Sequence, residues 1–142
     1  MNQLTNTGAN TTALPLTGRI LMAAIFIMSG IGKIAAPAAT IGYISAMGLP
    51  FPELALAGAI GIEVIGGLLL VLGLYTRPVA LALAAFSILT GLLFHSAIAD
   101  QNQMIHLMKN LAMAGGLLQV AAFGAGSLSL DARRAPATLR AA

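Results

Sequence analysis

The sequence contains no cysteine, and charged residues make up only 8% of its 142 residues. Without cysteine the chain has no disulfides, thiolate metal sites, iron–sulfur clusters or dithiol redox chemistry. An average soluble domain has roughly 25% charged residues, so this chain could not cover a water-facing surface. Hydrophobic residues instead make up 58% of it, and the mean hydropathy is +0.93. The composition therefore indicates an integral membrane protein with a single domain.

Basic residues outnumber acidic residues by 7 to 4, which gives a net charge of +3. They are too sparse and too scattered for a nucleic-acid surface, so we interpret them as markers of membrane topology. In a four-span arrangement, one side of the membrane carries every arginine, namely Arg19, Arg77, Arg133, Arg134 and Arg140. Lys33 and Lys109 fall on the other side, beside Glu53 and Asp100. The positive-inside rule then places both termini in the cytoplasm.

Four hydrophobic runs predict an all-α fold, an integral membrane four-helix bundle over residues 16–132. The spans are expected at about 16–34, 54–74, 79–94 and 105–123, because a bilayer is crossed by about 20 apolar residues. A tight turn joins the second and third spans, so they must be antiparallel neighbours. The two ends of the chain, 1–15 and 133–142, are predicted as a flexible and a disordered cytoplasmic tail. The first run could instead be a cleaved signal peptide, but no basic segment precedes Arg19.

A short helix is predicted between the first two spans. Pro37 could begin it and Gly48 could end it, and Ile41, Ile44 and Met47 recur at helical spacing. Such an amphipathic segment is expected to lie at the membrane interface. The alternative is an ordered loop without a helix.

One carboxylate, Glu63, lies in the middle of the second span, in the sequence GAIGIEVIGGLLLVLGL. A charged side chain at the centre of a bilayer costs about 2.5–3.5 kcal/mol on insertion scales. Ala59, Gly66 and Gly67 share its helical face, and small residues mark helix–helix contacts in lipid. Glu63 is therefore predicted to face the interior of the bundle, where it either handles protons or makes a purely structural ion pair or hydrogen bond.

Candidate partners of Glu63 occupy the same half of the bilayer. Glu63 and Lys109 are the candidate catalytic residues, with proton handling as the hypothesis. The candidate binding residues are Ser29, Lys33, His95, His106 and Asn110. His106, Lys109 and Asn110 share one helical face, and Ser29 and Lys33 are four residues apart. Each lysine could instead extend to the membrane surface, and this alternative is stronger for Lys33 than for Lys109.

His95 and His106 raise the possibility of a haem held by two histidines. That would require both rings to face a deep apolar slot, and we do not favour it. A metal site built on the two histidines is not favoured either. The sequence contains no Rossmann glycine pattern after a strand, no phosphate loop and no Ser-His-Asp arrangement.

Several segments in order resemble the DoxX family of small four-span bacterial inner-membrane proteins. They are GRILMAAIFIMSGIGKI, AAPAATIGYISAMGLPFP, GIEVIGGLLLVLGLYTRPVALAL, HLMKNLAMAGGLL and GAGSLSLDARR. Matching landmarks are the Ser29-Gly30 and Lys33 ending of the first span, the Gly48-Leu49-Pro50 turn, and Glu63 followed by Gly66 and Gly67. Further matches are 73–77, Lys109-Asn110 and 129–131. The resemblance extends over roughly residues 16–132.

The resemblance implies an oxidoreductase component of the inner membrane that acts with a quinone or with a redox partner subunit. The alternative is a non-enzymatic protein that serves membrane assembly, interaction or transport. The expected partner of the chain is the lipid bilayer, and a homo-oligomer is compatible with the sequence. No nucleic-acid partner is expected. The cofactor stays open: the resemblance is compatible with a quinone, and haem is not favoured.

Overall fold

The computed structural model describes residues 6–134, with side chains from residue 13 onward. All regular structure in this part of the chain is helical, which confirms the predicted all-α class. The helices are, in order, α1 (Asn6–Ala35), α2 (Pro37–Ala46), α3 (Pro52–Ile60), α4 (Gly66–Leu72), α5 (Thr76–Phe94), α6 (Gln101–Phe123) and α7 (Leu130–Arg134). A π-helical turn, Gly61–Ile65, connects α3 directly to α4.

Within residues 6–134, three helices are long and apolar enough to cross a membrane: Ala13–Ala35, Pro52–Leu72 and Thr76–Phe94. The second consists of α3, the π-helical turn and α4 in one continuous rod. The predicted fourth span, 105–123, lies within α6, which has 23 residues and a length of about 34 Å. Its polar residues keep α6 outside the set of three, so its crossing stays a prediction.

The boundaries of the helices differ from the predicted ones at both ends of the first span. The structure begins α1 at Asn6, ten residues before the predicted start of the span at 16. The break after α1 falls at Ala36, where Pro37 begins the predicted short helix, α2. Gly48 follows α2 with a φ of 74°, a left-handed conformation that suits glycine. Whether α2 lies at the membrane interface stays a prediction. Residues 1–5 and 135–142, which belong to the two predicted tails, lie outside the described residues.

The bundle core is built from small side chains and a few large ones. Its buried members are Ala23, Phe26, Leu70, Ala80, Leu83, Ala84, Ala114 and Leu117. The most extensive packing between described helices is that of α5 against α6, which a short connection joins, and α1 packs mainly against α4. A Cβ placed on Gly67 would lie 2.7 Å from Ile27 Cγ1. Glycine there lets α1 and α4 approach closely, as helices in lipid commonly do.

Arg19 lies near the end of the bundle where α4 ends, and it connects three segments there. Its side chain is only 1% exposed. Its guanidinium donates hydrogen bonds to the carbonyl oxygens of Leu70 (3.0 Å), Val71 (3.1 Å) and Leu128. The first two belong to the last turn of α4, and the carbonyl of Leu70 also accepts a hydrogen bond from the N–H of Gly73 at 3.2 Å. Besides its predicted role as a topology marker, Arg19 therefore ties α1 and α4 to the segment that follows α6.

Asp131 on α7 adds further hydrogen bonds at the same end of the bundle. Its carboxylate accepts hydrogen bonds from the backbone N–H groups of Tyr75 (2.9 Å) and Thr76 (2.8 Å), at the beginning of α5. Its own N–H donates to the carbonyl of Gly73 at 2.9 Å. Partial burial by itself raises the pKa of Asp131, but the Thr76 and Tyr75 hydrogen bonds and the charge of Arg134 outweigh it. The net result is a lowered pKa.

Candidate functional site

Glu63 forms a buried ion pair with Lys33. The ammonium of Lys33 donates hydrogen bonds to both carboxylate oxygens of Glu63, each at 2.9 Å. It also donates to Ser29 Oγ at 2.8 Å, and that hydroxyl donates to Glu63 Oε1 at 3.1 Å. The Glu63 side chain is 6% exposed, whereas that of Lys33 is 24% exposed. The three residues form a closed polar triangle in which every charge has a partner, as a buried charge requires.

The helix that carries Glu63 is irregular at this point. Glu63 is the central residue of the π-helical turn Gly61–Ile65. A π turn adds a residue to one turn of the helix, and such turns are frequent at functional sites. The facing position on α1 is Gly30, where an added Cβ would lie 2.6 Å from Val64 Cγ2 and 3.3 Å from Glu63 Cβ. Glycine therefore lets α1 lie against the turn, and this brings Ser29 and Lys33 within reach of Glu63.

A cavity of about 830 Å³ lies beside this triangle. Its size falls within the range of about 300–1,000 Å³ that is usual for small-molecule sites. Ser29, Lys33 and Glu63 form one polar part of its wall. Other polar groups on the wall are Thr40, Tyr43, Ser87, Thr90, His95 and Asn110. The remainder is apolar and comes from α1, α2, α3, the π turn, α5 and α6.

The structure brings together some of the predicted site residues and separates others. Ser29, Lys33 and Glu63 make direct contact, so Lys33 joins the cluster and does not extend to the membrane surface. His95 and Asn110 line the same cavity. Asn110 Nδ2 donates to the carbonyl of His106 at 3.0 Å, within its own helix.

His106 and Lys109 do not reach the cavity wall, and both are exposed. His106 instead stacks on His95, with ring centroids 4.9 Å apart. His95 Nδ1 is hydrogen-bonded to Gln103 Oε1 at 2.8 Å. The predicted grouping of Lys109 with Glu63 is thus not found, because Lys33 occupies the position beside the carboxylate. Among the described residues no group of three or more metal-ligating side chains occurs.

Several cavity residues did not emerge from the sequence. Ser87 and Thr90 are three residues apart on α5 and point to the cavity, with each hydroxyl donating to a carbonyl of its own helix. Their spacing within an apolar run was a signal that could have identified them. Tyr43 and Phe94 had no such signal, since only the fold brings α2 beside the end of α5. Their rings are 5.4 Å apart.

Comparison with known proteins gives consistent matches. The sequence profile of the family described as DoxX matches residues 14–96. The chain is 44% identical over 116 residues to the inner membrane protein YqjF of Escherichia coli (strain K12), covering 82% of this chain and 88% of that protein. It is 35% identical over 131 residues to the inner membrane protein YphA of the same organism, covering 89% and 94%. No solved structure matches significantly.

Proposed function

The chain belongs to the DoxX family, and from that premise we propose that it is an inner-membrane redox component which binds a quinone in the cavity beside Lys33 and Glu63. Both E. coli relatives carry the name inner membrane protein, which supports the same location here. The observation that carries the proposal is one apolar cavity of about 830 Å³ with a buried ion pair in its wall.

The residues on the wall suit a neutral ring with oxygen atoms. The ion pair carries no net charge, so a neutral ligand adds no unpaired charge to a buried site. The Lys33 ammonium can donate a hydrogen bond to a carbonyl oxygen, and the Glu63 carboxylate can accept one from a hydroxyl. The apolar walls suit the ring and its substituents.

A quinone takes up two electrons and two protons to become a quinol. A partner redox protein must supply or receive the electrons, since the chain has no cysteine for thiol redox chemistry. Glu63 and Lys33 hold and release protons at the carboxylate oxygens and at Nζ, as intramembrane carboxylates do in proton relays. Ser29 keeps both groups in position through its two hydrogen bonds. Lys109 stays a candidate for proton delivery from the exposed face of α6.

The test measures bound quinone and quinol-linked dye reduction for Glu63→Gln. We expect the variant to lose both, at normal protein levels in the membrane. Glu53→Gln is the matched control, because Glu53 is an exposed carboxylate on the same rod. Purified protein without quinone, or a Glu63→Gln variant with unchanged quinone content and rate, would contradict the proposal.

A second function, membrane assembly without catalysis, is favoured by one observation. The Lys33–Glu63–Ser29 triangle is internally satisfied, which is what an ion pair that fixes helix register requires. In that case Glu63→Gln would weaken a complex with a partner subunit or a second copy, and lipid extracts would contain no quinone.

The proposed topology has four spans, with α6 as the fourth, α2 at the outer interface and both termini in the cytoplasm. It is supported by the length of α6 and by the arginines near one end of the bundle. Reporter fusions at each terminus test it. An even number of spans puts both reporters on the same side of the membrane, whereas three spans would put them on opposite sides.

A further inference from the structure

The cavity has an apolar side that opens on the flank of the bundle. Leu89 and Leu93 on α5 line the cavity and are nevertheless 56% and 37% exposed. Tyr43 on α2 also lines it and is 48% exposed. Since α5 is one of the helices suited to span a membrane, its exposed leucines face hydrocarbon and not water. The opening between α2 and α5 is therefore directed to the bilayer.

Helix α2 forms one edge of this opening and makes few contacts across it. Ala39, Thr40, Tyr43 and Ile44 form its contribution to the cavity wall, and its packing is mainly against α3. Toward α5 it makes the Tyr43–Phe94 ring contact and a hydrogen bond from Tyr43 Oη to the carbonyl of Phe94. That bond is 3.5 Å long, beyond the usual range for O–H donors. Neither ring belongs to the buried core cluster, so the two side chains can separate while α2 stays in place.

We infer that the ligand of this cavity is an amphiphile with a polar ring and a hydrocarbon tail, drawn from the bilayer, and that it passes between α2 and α5 under the control of Tyr43 and Phe94. This inference rests on the proposed function and adds the source and shape of the ligand. The ring reaches Lys33 and Glu63, while the tail lies along Leu89 and Leu93 and continues into the lipid. A ligand of this kind never has to leave the hydrophobic phase.

A cross-link across the opening tests the inference. The chain has no cysteine, so Tyr43→Cys/Phe94→Cys introduces the only two thiols. The purified double variant, in proteoliposomes, is joined after folding by a short bifunctional thiosulfonate reagent. We expect exchange of a quinone with a decyl tail to slow by at least about tenfold, which corresponds to about 1.4 kcal/mol in the barrier. Reduction of the cross-link should restore the exchange rate. In the two single-cysteine variants the reagent cannot form the cross-link, so their exchange rates should stay unchanged.

A second variant widens the same opening, whereas the cross-link holds it closed. Tyr43→Ala/Phe94→Ala removes both rings, and we expect faster exchange of the tailed quinone. The unchanged protein should bind the tailed quinone more tightly than the tailless ring. Equal exchange rates before and after cross-linking, or tighter binding of the tailless ring, would overturn access from the bilayer while leaving quinone binding intact. Failure of both quinones to bind would overturn the proposed function together with this inference.

Discussion

The Lys33–Glu63 pair should respond unequally to the loss of each partner. We predict that Lys33→Met destabilises the bundle more than Glu63→Gln does. Lys33→Met leaves a carboxylate that is 6% exposed with only the Ser29 hydroxyl as a partner. Glu63→Gln leaves a lysine that is 24% exposed, whose flexible stem can carry the ammonium toward water or headgroups.

The magnitudes follow from the contacts. Removing one partner of a buried ion pair costs about 3–5 kcal/mol, and the partial exposure of Lys33 places Lys33→Met at the lower end, about 3 kcal/mol. Glutamine keeps an acceptor oxygen for Lys33 and Ser29, so Glu63→Gln should cost about 1–2 kcal/mol. In the double variant Lys33→Met/Glu63→Gln no charge remains buried. Its cost should fall below the sum of the single variants by about 1–2 kcal/mol.

The assay is denaturant unfolding in detergent micelles, followed by far-ultraviolet circular dichroism, because the chain has no tryptophan to serve as a fluorescent probe. Lys109→Met is the control, since Lys109 is exposed, and it should change stability by less than about 0.5 kcal/mol. If Glu63→Gln proves as costly as Lys33→Met, or if the two changes add without coupling, the pair does not hold the helices as the geometry indicates.

Three further predictions concern the parts of the bundle that hold the site. Gly30→Ala places a Cβ 2.6 Å from a methyl group of the facing helix and should cost about 1–3 kcal/mol in unfolding titrations; Gly18→Ala on the same helix meets nothing within 4 Å and should be neutral or stabilising. Arg19→Met should lower the free energy of unfolding by about 3 kcal/mol or more, because the carbonyl hydrogen bonds are lost, and the thermal midpoint should fall with it. Arg77→Met at an exposed position should change neither strongly. The lowered pKa of Asp131 adds stability that is present above the unfolded-state pKa and is lost as pH falls through the folded-state pKa. Melting curves recorded between neutral and acidic pH should therefore show a fall in the thermal midpoint that is smaller in Asp131→Asn. Identical pH profiles of the two proteins would refute a stabilising role of the Asp131 carboxylate.

Much of the helical architecture could be predicted from the sequence, because hydrophobic run length determines what can cross a bilayer. Three helices within the described residues that are suited to span a membrane were found in this way. The helix that begins at Pro37 was found from its proline, the glycine that follows it and the helical spacing of its apolar residues. The status of α6 could not be predicted, since its polar residues are compatible with either a crossing or a helix lying against the bundle. The start of α1 at Asn6 was missed because residues 6–12 are mostly polar and Pro15 follows them. Polarity says little about helix formation where a long helix continues.

Some of the site residues could be predicted from the sequence and others could not. The cost of a buried charge predicted that Glu63 faces the interior and needs a partner. The sequence could not show whether Lys33 or Lys109 pairs with Glu63. That depends on how α1 is rotated against the π turn, and Gly30 is the point where the two approach closely. Arg19 was interpreted only as a topology marker. Its carbonyl partners belong to segments about 50 and about 110 positions away, and nothing in the local pattern points to them.

The cavity bears on whether the ion pair is only structural. A pair that merely fixes the register of α1 against the π turn needs no open space beside it. Two helices held in register by an ion pair can pack directly against each other, at the density of about 0.74 that is usual for protein interiors. The chain nevertheless leaves about 830 Å³ beside Lys33 and Glu63 and lines it with hydroxyl, imidazole and amide groups. Since the cavity opens to the bilayer, a lipid chain could fill its apolar part, but the polar groups on the wall favour an occupant that also carries hydrogen-bonding atoms.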